Sequence, residues 1–102
     1  MNSVAGVGGM QIRLGEERWQ HICKRHPELA EHRERILACV EAPRIVYRGR
    51  NQELLALADF QDDKQLVVVY IEESLDGFIV TAYVTRRLSQ FRNMETVWPS
   101  QT

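Results

Sequence analysis

No apolar run in this 102-residue chain approaches the roughly 20 residues that a helix needs to cross a bilayer, so no membrane partner is expected. Cysteine is nearly absent. The two present, Cys23 and Cys39, stand in neither a CxxC pair nor a Cys/His spacing of the zinc type, and both fall within helical patterns. They read as reduced thiols, which suits a cytoplasmic protein. There is no P-loop, no dinucleotide glycine pattern, no serine nucleophile elbow and no carboxylate cluster at metal spacing. The expectation is therefore a protein that uses neither metal nor cofactor.

What is present is charge, unevenly laid out. Lys and Arg number 13 against 14 Asp and Glu, for a formal net charge of -1. Residues 11–50 carry nine cations and six acids, residues 51–85 one cation and seven acids, and residues 86–102 three cations and one acid. The basic ends leave room for a local cationic patch, which is all that a small enzyme needs to engage phosphates.

Residues 1–9 are small and Gly-rich, and they read as a flexible leader. Residues 10–87 read as one domain, with 88–102 a C-terminal extension that is either a short helix or a tail. Met10 to Leu14 is a short extended candidate. Trp19, Ile22 and Cys23 recur at helical spacing, with Glu16 and Glu17 in the first turn, and predict a helix over 16–25 that ends where Pro27 disfavours helical geometry at His26. Leu29, Ile36, Leu37 and Val40 predict a second helix over 28–41, stopped by Pro43.

Beyond Pro43 the period changes to two. Strands are expected at 44–48, 53–60, 65–72 and 78–85, joined by Gly49-Arg50-Asn51, Asp62-Asp63-Lys64 and Asp76-Gly77. The predicted class is α+β, with the N-terminal helices packed on one face of a four-stranded antiparallel meander. In the last strand Phe78, Val80, Ala82 and Val84 are expected to face the helices, and Ile79, Thr81, Tyr83 and Thr85 the opposite, mainly hydroxyl-bearing side, running toward Arg86 and Arg87. Hydroxyls beside guanidinium groups suit a phosphodiester. Thr and Tyr are also ordinary residues for a solvated strand face.

The segment Trp19-Gln20-His21-Ile22-Cys23-Lys24-Arg25-His26-Pro27-Glu28 holds two of the three histidines. Imidazole is the side chain whose unperturbed titration lies near neutrality. His21 and Arg25 share a helix face, whereas His26 sits about 140° from His21 on a regular helix. The solvent-facing His21 is the preferred acid/base candidate, and His26 joins it only if the helix breaks. His32, among Glu31, Arg33 and Glu34, reads as a surface residue.

Trp19-x-His21-Ile22-x-x-Arg25-His26-Pro27-Glu28, the helix closed by Ala42-Pro43, Arg44-Ile45-Val46-Tyr47, Leu66-Val67-Val68-Val69 and Ile79-Val80-Thr81-Ala82-Tyr83 together resemble a family. It is the small phage-associated nuclease-fold domains grouped with barnase, EndoU, the tRNase colicins and the RelE toxins. The resemblance covers roughly residues 10–87. It implies metal-independent cleavage of RNA by attack of the ribose 2′-hydroxyl, as in a toxin or phage-derived effector, with a cognate inhibitor protein as a further partner. On that basis His21 and His26 are the acid/base candidates, Arg25 and Arg86 phosphate clamps, and Thr81 and Tyr83 orienting donors. Arg18, Lys24, Tyr47, Thr85, Arg86 and Arg87 complete the expected substrate surface. A catalytically inactive nucleic-acid or protein-binding module of the same fold is the alternative, and an exposed sheet edge leaves a homodimer open.

Overall fold

The computed structural model describes residues 2–100 of the chain. Its centre is a seven-stranded mixed sheet, and this corrects the expected four-stranded antiparallel meander. The strands are β1 (Ser3–Ala5), β2 (Gln11–Arg13), β3 (Ile45–Arg48), β4 (Leu54–Asp59), β5 (Gln65–Glu72), β6 (Gly77–Thr85) and β7 (Glu95–Trp98), in the spatial order β1-β2-β6-β5-β4-β3-β7. Only two short α-helices occur among the described residues, α1 (Glu16–Arg25) and α2 (Arg33–Glu41).

Both ends of the chain add strands that the sequence pattern does not reveal. Ser3–Ala5, within the stretch read as a flexible leader, pairs antiparallel with β2, and the turn between them passes through Gly9 at φ 87°. Gly accepts that left-handed geometry without a Cβ penalty. Strand β2 then lies parallel to the start of β6, through Ile12 beside Gly77 and Arg13 beside Phe78. On the far edge β7 pairs antiparallel with β3. Residues 88–98 are thus a short 3-10 turn (Leu88–Phe91) followed by a strand.

The second predicted helix also needs correction. Pro27 has no N–H to donate and sits at the first position of a 3-10 turn, Pro27–Leu29, and α2 starts only at Arg33. It is a nine-residue helix rather than one running from 28 to 41.

Two cores hold the sheet from opposite sides. On one side Ile22 of α1, Leu29, and Ile36, Cys39 and Val40 of α2 meet Ile12, Ala56, Leu66, Val68, Tyr70, Ile79 and Ala82. On the other, Phe91 from the 3-10 turn seals a smaller cluster with Leu55, Leu57 and Val67, and stacks on Tyr47 at 5.2 Å between ring centroids. Two-sided burial explains why Leu54-Leu55-Ala56-Leu57 and Leu66-Val67-Val68 are unbroken apolar runs rather than alternating ones.

The expected faces of β6 hold only in part. Register shifts between Val69 and Tyr70 of β5, which pair with Thr81 and Ile79, so Val80 is an extra residue on β6. This bulge switches the alternation. Ile79, assigned to the polar side, is fully buried beneath the helices together with Ala82, and only beyond the bulge do Thr81, Tyr83 and Thr85 follow the expected alternation.

Candidate functional site

The C-terminal end of α1 and the C-terminal end of β6 meet. Pro27 excludes helical geometry at His26, which adopts φ -134° and ψ 74° while its N–H still bonds the Ile22 carbonyl at 2.8 Å. That break turns the half-buried His26 ring to the Tyr83 ring, 6.4 Å away between centroids. His26 Nδ1 also lies 3.9 Å from Glu28 Oε2. Strand β2 pairs with β6 only at its start, and among the described residues no strand pairs with the rest of that edge, where the end of α1 stands.

Beside this pair lies an open cleft of about 530 Å³, lined by Glu28, Phe60, Gln61, Lys64, Val84, Thr85, Arg86 and Arg87. Hairpin geometry assembles it. Gln65 pairs with Thr85, so the β4–β5 turn stands next to the residues that leave β6. The turn is tight, with Phe60 N–H bonded to the Lys64 carbonyl at 2.8 Å, and Asp62 and Asp63 at φ 55° and 63°. Arg86 donates to the Asp62 carbonyl at 3.2 Å, which clamps the two walls together.

A hydrogen-bond relay orders the hydroxyl side. Tyr83 donates to Gln90 Oε1 at 3.2 Å, and the Gln90 amide donates to Thr85 Oγ1 at 3.2 Å and to the Arg87 carbonyl at 2.6 Å. Thr85 Oγ1 also accepts from the Arg87 N–H at 2.9 Å. Burial pushes the Tyr83 phenol above its ordinary range, so at neutral pH it stays a donor. Lys64, Arg86 and Arg87 face a single cleft-lining carboxylate, Glu28, giving the cleft a cationic excess suited to a phosphate.

The expected site residues separate into two groups. His26, Tyr83, Thr85, Arg86 and Arg87 come together at the cleft or its rim. His21, Arg18, Lys24 and Arg25 are exposed on α1, and among the described residues no side-chain hydrogen bond, ion pair or ring contact joins them to β6. Thr81 is half-buried and paired with Val69, and Tyr47 is committed to Phe91 on the far side of β5 and β4. Glu28, Phe60, Gln61, Lys64 and Gln90 were not among the expected site residues. For Lys64 the missing signal was hairpin register, since a short turn between β4 and β5 sets it opposite the end of β6.

Among the described residues no three His, Cys, Asp or Glu side chains gather closely enough to hold a metal ion. No helix among them is long and apolar enough to cross a membrane. Comparison with protein-family models, with curated proteins and with solved structures finds no match.

Proposed function

We propose that the cleft binds the phosphodiester backbone of RNA and that the protein is a metal-independent endoribonuclease. The observation that carries this reading is the His26 ring against Tyr83 and beside Glu28, at the rim of a cleft lined by Lys64, Arg86 and Arg87. Cleavage by the neighbouring 2′-hydroxyl needs a base for that hydroxyl, an acid for the departing 5′-oxygen, and donors for charge on the phosphoryl oxygens. The Glu28 carboxylate takes the 2′-hydroxyl proton as the 2′-oxygen bonds to phosphorus. The His26 imidazolium gives its proton to the 5′-oxygen as the P–O5′ bond breaks, leaving a 2′,3′-cyclic phosphate. Arg86, Arg87 and Lys64 hold the phosphoryl oxygens, and the Tyr83 hydroxyl, whose one proton goes to Gln90, keeps its ring beside His26.

A silent RNA-binding module of the same fold is the second reading, favoured by the exposure of His21, which leaves one histidine at the cleft. Incubation with single-stranded RNA in the presence of chelator separates the two. Wild-type protein and His21→Ala are expected to cleave alike, whereas His26→Ala and Glu28→Gln lose about 100-fold or more of the rate. Cleavage by His26→Ala at the wild-type rate refutes the mechanism. Binding without cleavage leaves the silent module.

A further inference from the structure

A second cleft of about 490 Å³ lies along α2, lined by Trp19, Ala30, Glu31, His32, Arg33, Glu34 and Arg35. Its guanidinium groups are not free-swinging. Arg35 lies over the Phe60 ring at 4.3 Å and donates to the Asp59 carbonyl at 3.2 Å, and Arg33 lies over Trp19 at 5.4 Å and donates to Asn2 Oδ1 at 2.6 Å. His32 meets the same Phe60 ring edge-on at 5.3 Å. Phe60 is therefore shared: it forms one wall of the first cleft and carries Arg35 and His32 of the second.

We propose that the two clefts form one track for single-stranded RNA, with backbone phosphates in the Lys64, Arg86 and Arg87 cleft and unpaired bases stacked on the Arg35 and Arg33 planes beyond Phe60. Alternating cationic groups and flat side chains are what a sequence-tolerant single-strand site requires, because every base offers a face for stacking. Holding each guanidinium over a ring and on a hydrogen-bond acceptor removes much of the rotamer freedom that binding would otherwise have to freeze. A duplex hides its base faces and gains nothing from such planes.

Asp62 and Asp63 stand in the turn before Lys64 but line neither cleft, and within the two linings cations outnumber acids. Glu28 belongs to the first cleft, and Glu31 and Glu34 to the second, against Lys64, Arg86, Arg87, Arg33 and Arg35. The Asp59 carboxylate is engaged elsewhere, by Arg44 Nε at 3.6 Å and by the Gln65 amide at 2.9 Å.

The track rests on the reading of the first cleft as an RNA site and extends it by a binding surface that catalysis does not require. Fluorescence anisotropy with non-cleavable 2′-O-methyl single strands, an octanucleotide and a trinucleotide, tests it. Arg35→Ala and Arg35→Lys are expected to weaken octanucleotide binding about fivefold or more, since Lys keeps the charge and loses the plane, and to leave the trinucleotide unchanged. Lys64→Ala is expected to weaken both. Wild-type affinity of Arg35→Lys for the octanucleotide overturns the track, as does a duplex binding as tightly as the single strand, or no binding of either strand. If RNA is cleaved with dependence on His26 while Arg35→Lys binds normally, the track alone falls. If the Arg35 effect appears with no cleavage, the catalytic reading alone falls.

Discussion

Gly77 tests the seven-stranded architecture at its most crowded joint, where β2, β5 and β6 meet. It pairs with Ile12 across the parallel contact and with Glu72 across the hairpin. A Cβ built there would overlap the Ile71 carbonyl oxygen and come within 2.8 Å of Ile12 Cδ1. The isoleucine methyl can rotate away, but a backbone carbonyl in a paired strand cannot. Gly77→Ala must therefore bend the β5–β6 hairpin or push β2 off the sheet. Overpacking of this kind costs about 1–3 kcal/mol. Displacement of Ile12, which is fully buried, adds a share of the roughly 1.5–3 kcal/mol that burial of such a side chain contributes. Against this, Ala narrows the unfolded ensemble and returns about 0.4–1 kcal/mol. The expected net loss is about 2–4 kcal/mol, read as a lower urea midpoint at unchanged m-value and a melting temperature down by roughly 10 °C or more. Gly15→Ala is the control, because nothing lies within 4 Å of its would-be Cβ and φ -73° suits any residue. It should stay within about 1 kcal/mol of wild type. Equal stability of the two variants refutes the close packing of Gly77 against the Ile71 carbonyl.

The remaining predictions concern two buried groups in the main core. Burial pushes the Cys39 thiol up to about 12, while Cys23 is only half-buried, so a disulfide reagent at pH 8 should label Cys23 quickly and Cys39 at the rate of global opening. Rapid labelling of a folded Cys23→Ser variant contradicts this. The Tyr70 hydroxyl is fully buried without a hydrogen-bond partner among the described residues, so Tyr70→Phe should be neutral or stabilising, by up to about 1 kcal/mol in denaturant melts. A loss above about 1 kcal/mol means that the hydroxyl is paired. Burial first, then the Glu72 and Cys39 charges, raise that phenol to about 12. Above pH 10 the unfolded chain releases this proton while the folded chain keeps it, so stability falls as pH rises from about 10 to about 12, less steeply in Tyr70→Phe.

How far the fold can be read from the pattern depends on what holds each strand in place. From β3 to β6 the strands carry their own signal, because Val, Ile and Leu runs between turn residues belong to strands wherever a core is available. Strands β1 and β7 carry little of their own. Ser3–Ala5 is extended because β2 pairs with it and Leu14 N–H bonds the Asn2 carbonyl at 2.7 Å, and Glu95–Trp98 because β3 offers an edge. These are properties of partners distant in sequence. The same holds for the bulge at Val80, which is set by the β5 register and by Gly77 at the β2 contact, and which strict alternation along Phe78 to Thr85 cannot reveal.

The candidate site divides along the same line. Residues whose placement follows from a local rule were legible: Pro27 breaks α1, which frees His26 from the helical face it would otherwise share with the core, and Tyr83 and Thr85 alternate beyond the bulge. On an unbroken helix His21 is the better candidate. With the break, it is His26 that reaches the β6 edge, and His21 stays on the outer face of α1 with Arg18 and Arg25. Residues placed by a non-local rule were illegible. Lys64 and Phe60 sit in an acidic stretch whose Asp62 and Asp63 suggest a solvated turn, yet the left-handed geometry of these two aspartates closes the turn tightly enough to set Lys64 beside Arg86. An acidic segment thus supplies a cation to the cleft. For this reason the net charge of the middle third says little about the sign of the surface it helps to build.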